Sequence, residues 1–374
     1  MVVRTNDIFD SFHCTMGGCS DNCCRIGWDI EIDDDTYDYY RSLDSELGRR
    51  LVESIYEEEG CRYMSQPRGC PFMNEEGLCS VQLECGEEHI SDICREHPRF
   101  YEWFGEVKEA GVGLSCEEAA GLLMKHEKPI LFYDIKTQEE ADDLEFDREL
   151  FTPFRRLRDR LIEILQDRGL SVRERLGIVL FSSDDIQQAV FEGDADRIRQ
   201  ISGMLAIDGF RVEMINHLSA EKYEDKLTGT ARICELMGKM DYIGEGLKKV
   251  FELSKEDIEN ILRCERSFER EYHEFSHELE NLGVYYIYRY LLKAMRDSAV
   301  DERIYAAVFC VLAVRLAFLA EYAKNGTLPD LQRRIWLVKE FSKEIEYSVD
   351  NMDMIYEEIQ TGKISTSMLA GLLF

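Results

Sequence analysis

With 374 residues and 45% hydrophobic side chains, the chain can bury a large core spread over one to three domains. Asp and Glu outnumber Lys and Arg by 75 to 45, a formal net charge of −30 that works against binding to nucleic acid or an anionic membrane, and neither partner is expected. The same excess suits a cationic group such as a lysine side chain, although solubility alone accounts for it too.

The opening residues, MVVRTNDIFDSF, place Asp7 and Asp10 where an export signal needs an unbroken apolar run, so a cytoplasmic protein is expected. Of the 13 cysteines, only Cys234, Cys264 and Cys310 lie beyond residue 116. In a reducing compartment such clustering points to metal rather than disulfides. The stretch CTMGGCSDNCC supplies Cys14, Cys19, Cys23 and Cys24. Next, WDIEID (28–33) alternates like a short strand. In LGRRLVESIYEEEG, Leu47, Leu51 and Ile55 share a helical face, and Gly60 reads as its stop.

A second group follows: Cys70 and Cys79 in GCPFMNEEGLCSVQ, Cys94 in SDICREHPR and Cys116 in LSCEEAA. The surrounding Gly, Pro and Asn are loop formers, and thiols on loops can turn inward onto one centre. A zinc knuckle fits the Cys19–Cys23 gap, whereas the Cys23–Cys24 pair and the wide Cys70–Cys79 spacing suit an iron–sulfur cluster better. Spacing leaves iron–sulfur, zinc and inert reduced cysteines all open. Cys61 and Cys85 read as packing or surface residues, and His97 as a solvated loop histidine. GVGLS (111–115), a lone Gly-x-Gly, reads as a turn beside Cys116.

From about residue 126 the chain reads as helix after helix. Thr152-Pro153 is expected to open one with the stripe Leu157, Leu161, Ile164 and Leu165, ending at Gly169. Ser171 with Glu174 has capping-box spacing. Ser254 with Asp257 opens a long charged helix toward Gly283. Another helix, Asp301 to Tyr322, contains AAVFCVLAV (306–314), which meets Arg315 too soon to span a bilayer and reads as buried. It closes at Asn325-Gly326, and Leu331 to Glu358 is expected as one last long helix. No strand–helix alternation points to a doubly wound sheet, so a Rossmann-type cofactor site is not expected. His273-Glu274-Phe275-Ser276-His277 matches H-E-x-x-H, but no third ligand is readable and the surroundings are a charged helix face; the protease reading is set aside.

Four segments together, FHCTMGGCSDNCCRIGWDIEIDDDTYDYY, CPFMNEEGLCSVQ, GEEHISDICREHPR and LSCEEA, resemble the bacterial flagellin lysine N-methylases. ENLGVYYIYRYL (280–291) and IWLVKEFSKEIEYS (335–348) extend the resemblance over most of the chain. Glu117 departs from it, standing where a proline is usual after the cysteine.

The resemblance implies methyl transfer from S-adenosylmethionine to lysines of a protein, flagellin above all, by an enzyme with an iron–sulfur cluster of the 4Fe-4S kind. It implies as metal residues Cys14, Cys19, Cys23, Cys24, Cys70, Cys79, Cys94 and Cys116, more than one such cluster needs. Catalytic and cofactor-binding residues are not assigned; Tyr285, Tyr286, Tyr288 and Glu280 are candidates only because the resemblance clusters there, against a packed aromatic face. The expected fold is mainly α, with a cysteine-rich loop and short-strand cluster module (1–125) before a helical body (126–374). The competing reading is a non-enzymatic metal-binding or redox-sensing protein.

Overall fold

The computed structural model describes residues 1–66, 69–138 and 146–374. Among the described residues the strands are β1 (Val2–Asn6), β2 (Ile30–Glu31), β3 (Ile55–Glu58), β4 (Cys61–Met64), β5 (Arg99–Phe104), β6 (Val107–Val112) and β7 (Phe132–Lys136); helices make up nearly all the rest of the regular structure. The fold is mainly α with short strands toward the N-terminus.

Two sheets divide those strands. One has the order β5-β6-β1-β7, with β1 parallel to β6 and antiparallel to β7; the other is β2-β4-β3. The first sheet joins the main core, where Ile8, Phe104 and Val112 meet Leu157, Leu161, Phe309 and Phe341. Arg158 stitches it to helix Arg148–Leu165 by a two-pronged pair with Glu109 at 2.6 and 2.7 Å, both side chains buried. Tyr288 adds a second stitch, its hydroxyl donating to the carbonyls of Arg4 and Ala110. The second sheet has its own small core: Ile32, Tyr40, Leu47, Leu51, Met64, Phe72, Val81 and Ile90.

Helix Val300–Asn325 is long and apolar enough to cross a membrane, but 83% of its most apolar window is buried inside the protein. It is the axis of the body, packed by helices Lys255–Tyr272, His277–Tyr290, Ser183–Phe191 and Val349–Gln360. The αL residue Gly326 ends it as the sequence implies.

Both capping boxes form, at Ser171/Glu174 and at Ser254/Asp257. Other local readings need correction. Helix Glu46–Glu53 keeps Leu47 and Leu51 but not Ile55, which starts β3; Gly60, at φ +84°, turns the β3–β4 hairpin instead of stopping a helix. Asp147, not Thr152, caps helix Arg148–Leu165, and Pro153 lies inside it. The expected Leu331–Glu358 helix breaks. Helix Leu331–Phe341 runs into a π-helical turn, Ser342–Glu346, and the chain restarts at Val349.

Candidate functional site at the head–body seam

The π turn carries side chains that a surface helix cannot afford to bury alone. Glu346 is enclosed and accepts from Tyr285 at 2.5 Å, Tyr290 at 2.6 Å and Ser342 at 2.5 Å, with the Arg289 guanidinium 2.9 Å away. Arg289 also lies over the rings of Phe100 (4.6 Å), Tyr347 (4.9 Å), Tyr290 (5.3 Å) and Tyr285 (5.7 Å). A fully desolvated charge pair boxed by aromatics is stable only when every donor is met, which fixes this corner rigidly. π turns often mark functional segments.

The cysteine-bearing loops sit on this corner. Trp28 stacks on Tyr347, ring centroids 5.8 Å apart and planes within 9°. His97 is not solvated as its loop position implies. Its ring meets Trp28 and Tyr347 edge-on at 6.2 and 6.5 Å, and its enclosed Nε2 has no hydrogen-bond partner. Burial and the Arg289 charge push its pKa down to about 4. Gly113 permits the close approach: a Cβ there would stand 1.8 Å from the Tyr347 hydroxyl. The GVGLS stretch is therefore the end of β6 and a close-packing point.

Below the aromatics, Asp21 pairs with Lys339 and, at 3.2 Å, with Lys343, and both lysines also hold Glu340 at 2.8 and 2.9 Å. Lys339 is 1% exposed, and burial lowers its pKa. Lys339, Glu340 and Lys343 belong to the IWLVKEFSKEIEYS segment.

Cys14 accepts from the Met16 N–H, and Cys19 is 3.0 Å from the Thr15 hydroxyl. Cys23 and Cys24 share a 3₁₀ turn capped by Asn22, whose Oδ1 accepts the Cys24 N–H at 2.9 Å. The Cys70 N–H donates to the Cys24 carbonyl at 2.6 Å. Cys79 precedes helix Ser80–Cys85, Cys94 lies in helix Asp92–Glu96, and Cys116 caps helix Glu117–Lys125.

Their mutual influence shows how they gather. Cys24 and Cys94 feel Cys23 and Cys70, Cys94 also feels Cys79, and Cys116 feels Cys19 and Cys23. Burial pushes the Cys94 thiol up to about 11 and Cys116 to about 12, while a hydrogen bond from Cys24 lowers Cys23 to about 7. The set is all soft sulfur, with Cys14, Cys23 and Cys94 exposed and the other five partly covered, and in kind it fits a cluster held by thiolates. Among the described residues, however, no three Cys, His, Asp or Glu side chains stand in a ready metal-holding arrangement, so closure on a metal requires their rotation. Cys61 is exposed on β4 and Cys85 packs on the small core.

Of the remaining candidates, Glu280 is committed to Arg168 and Arg175, and Tyr288 to two backbone carbonyls. Tyr286 is buried among aromatics beside Cys310; only Tyr285 of this group hydrogen-bonds Glu346. His273 is the first residue of a 3₁₀ turn (His273–Phe275) and His277 the first of the next α-helix, so the two do not share the continuous helical face that H-E-x-x-H requires.

A mainly helical protein whose thiol-bearing loops seat on a buried, charged C-terminal turn is the class these features define. Residues 158–373, more than half of the chain, match the FliB lysine N-methylase C-terminal domain, and the chain belongs to that family. It is 25% identical over 121 residues to the flagellar biosynthetic protein FliU of Salmonella muenchen, covering 30% of this chain and 71% of that protein. To the lysine-N-methylases of Salmonella typhimurium and Salmonella choleraesuis it is 24% identical over 121 residues, 30% of this chain and 30% of theirs. The chain thus matches less than a third of those two enzymes' length. No solved structure matches it.

Proposed function

We propose that the protein transfers methyl groups from S-adenosylmethionine to lysine side chains of a protein, flagellin being the favoured substrate, and that its head cysteines hold an iron–sulfur cluster. The carrying observation is the membership of residues 158–373 in the lysine N-methylase family. The name of FliU as a flagellar protein supports flagellin. In the reaction the lysine ammonium first gives its proton to water, and its nitrogen then bonds the methyl carbon as the carbon–sulfur bond breaks and S-adenosylhomocysteine leaves. A dry aromatic surface with a neighbouring cation favours the neutral amine. The seam of Trp28, His97, Tyr347 and Arg289 has that character. The cluster, when bound, supplies a cationic, redox-active anchor for the thiolates.

Titration calorimetry of anaerobically purified protein with S-adenosylmethionine, followed by mass spectrometry of flagellin incubated with both, tests this. Saturable heat and mass increments of one methyl on flagellin lysines are expected. Iron-bearing protein that gives neither heat nor methylation would overturn it in favour of a redox-sensing protein.

A further inference from the structure

The loop carrying Cys19 and Cys23 is fixed by groups that are not cysteines. The Glu117 carboxylate accepts the Ser20 N–H at 3.0 Å, the Ser20 hydroxyl at 2.6 Å and the Asp21 N–H at 3.3 Å. Asp21 in turn sends its own carboxylate into the body, to Lys339 and Lys343. Both grips span a large sequence gap, so neither is a turn the loop makes by itself.

Each anchor is secured independently of the loop. Glu117 is the first residue of helix Glu117–Lys125, where the positive end of the helix favours a carboxylate. Lys339 and Lys343 project one turn apart and are 1% and 9% exposed, with Glu340 between them. The two ammonium groups share Glu340, and Glu344 stands 3.7 Å from Lys343, so the pair is already held in place and Asp21 reaches it as a further carboxylate partner from the loop. The loop sequence, Cys19-Ser20-Asp21-Asn22-Cys23, offers no apolar side chain besides the sulfurs to bury, so without these grips its ordering entropy has nothing to offset it. Glu117 also follows Cys116 directly, so the same grip draws the Cys19 and Cys116 thiols within each other's influence.

We propose that Glu117, Lys339 and Lys343 are positioning residues that hold the backbone of the loop of residues 19–23 in its folded course before any metal binds, leaving only the thiol side chains to turn. Only the metal arm of the test rests on the cluster reading above. Hydrogen–deuterium exchange with mass spectrometry is run on the reduced, metal-free full chain and on Asp21→Asn, Glu117→Ala and Glu117→Gln. In the wild type, residues 15–28 should be protected. Asp21→Asn and Glu117→Ala should exchange there about tenfold faster, with residues 300–325 unchanged, and Glu117→Gln, which keeps an acceptor oxygen, should fall between. Iron and sulfide uptake during reconstitution should slow in the same order. Equal exchange of residues 15–28 in all four chains, or a wild-type loop already unprotected, overturns the proposal. If Asp21→Asn also loosens residues 300–325, the buried lysines have unfolded the body and Glu117→Ala alone decides. A wild type that takes up no iron overturns the cluster reading, while the exchange comparison still decides the grips.

Discussion

Residues 30–90 gather eight buried apolar side chains around three short strands, whereas the body buries whole faces of helices Arg148–Leu165, His277–Tyr290 and Val300–Asn325 in one continuous core. A core of eight side chains supplies only a few kcal/mol, too little to fix a Gly-, Asn- and Cys-rich chain against its own entropy. The body is held by its packing and by buried ion pairs of its own, such as Arg175 with Glu280; the head needs anchors outside itself. It finds them in the body, at the Trp28–Tyr347 stack and the Asp21 ion pairs; metal on its sulfurs is the further anchor proposed above. The two regions therefore differ in what holds them, and perturbations should separate them.

The largest separation is expected from Cys23→Ser with Cys24→Ser. Serine keeps the size but not the soft thiolate, so bound metal should be lost and residues 14–97 should become protease-sensitive, while fragments from about residue 148 onward resist. Limited proteolysis with metal analysis reads both, and Cys234→Ser, Cys264→Ser and Cys310→Ser should leave both unchanged. The converse is Phe318→Ala. Phe318 is fully buried in the body, and its loss should cost about 3–5 kcal/mol in urea unfolding while the metal content of the folded protein stays the same.

A smaller effect sits on the seam. The folded His97 pKa of about 4 lies below its ordinary 6.5, so between these values the unfolded chain binds more protons. Stability should be complete above about pH 6.5 and fall by on the order of 3 kcal/mol as pH drops toward 4. Denaturant titrations across that window should show a shallower slope in His97→Gln; an unchanged slope would mean that His97 is hydrated. Smallest of all is His273→Gln with His277→Gln, expected to alter metal content not at all, because His273 lies in a 3₁₀ turn and His277 starts the next helix.

The sequence disclosed what is local. Ser171 with Glu174 and Ser254 with Asp257 are capping boxes because the partners lie three residues apart, and Gly326 ends its helix by its own conformational freedom. Thr152-Pro153 misled because Asp147, five residues upstream of Thr152, offers a better cap and the helix tolerates Pro153. The break in Leu331–Glu358 was hidden for a different reason. Ser342, Lys343, Glu344 and Glu346 are polar yet buried, so hydropathy periodicity marks them as a solvent face. What buries them comes from far along the chain: Asp21 for Lys343, Arg289 for Glu346, and backbone N–H groups of Ile243 and Gly244 for Glu344. The cysteines were legible by composition and resemblance. His97 and Glu117 were visible only as oddities, because their partners Trp28, Tyr347, Ser20 and Asp21 are brought in by folding.

Whether sulfur-bound iron seated on the body anchors the head, as proposed, is read most directly from the absorption spectrum, with iron and sulfide content, of protein purified without oxygen. A brown protein is expected, whose sulfur-to-iron charge-transfer bands bleach with dithionite and which carries iron and sulfide in matching amounts. Colourless protein that holds stoichiometric zinc, even after anaerobic reconstitution with iron and sulfide, would contradict it.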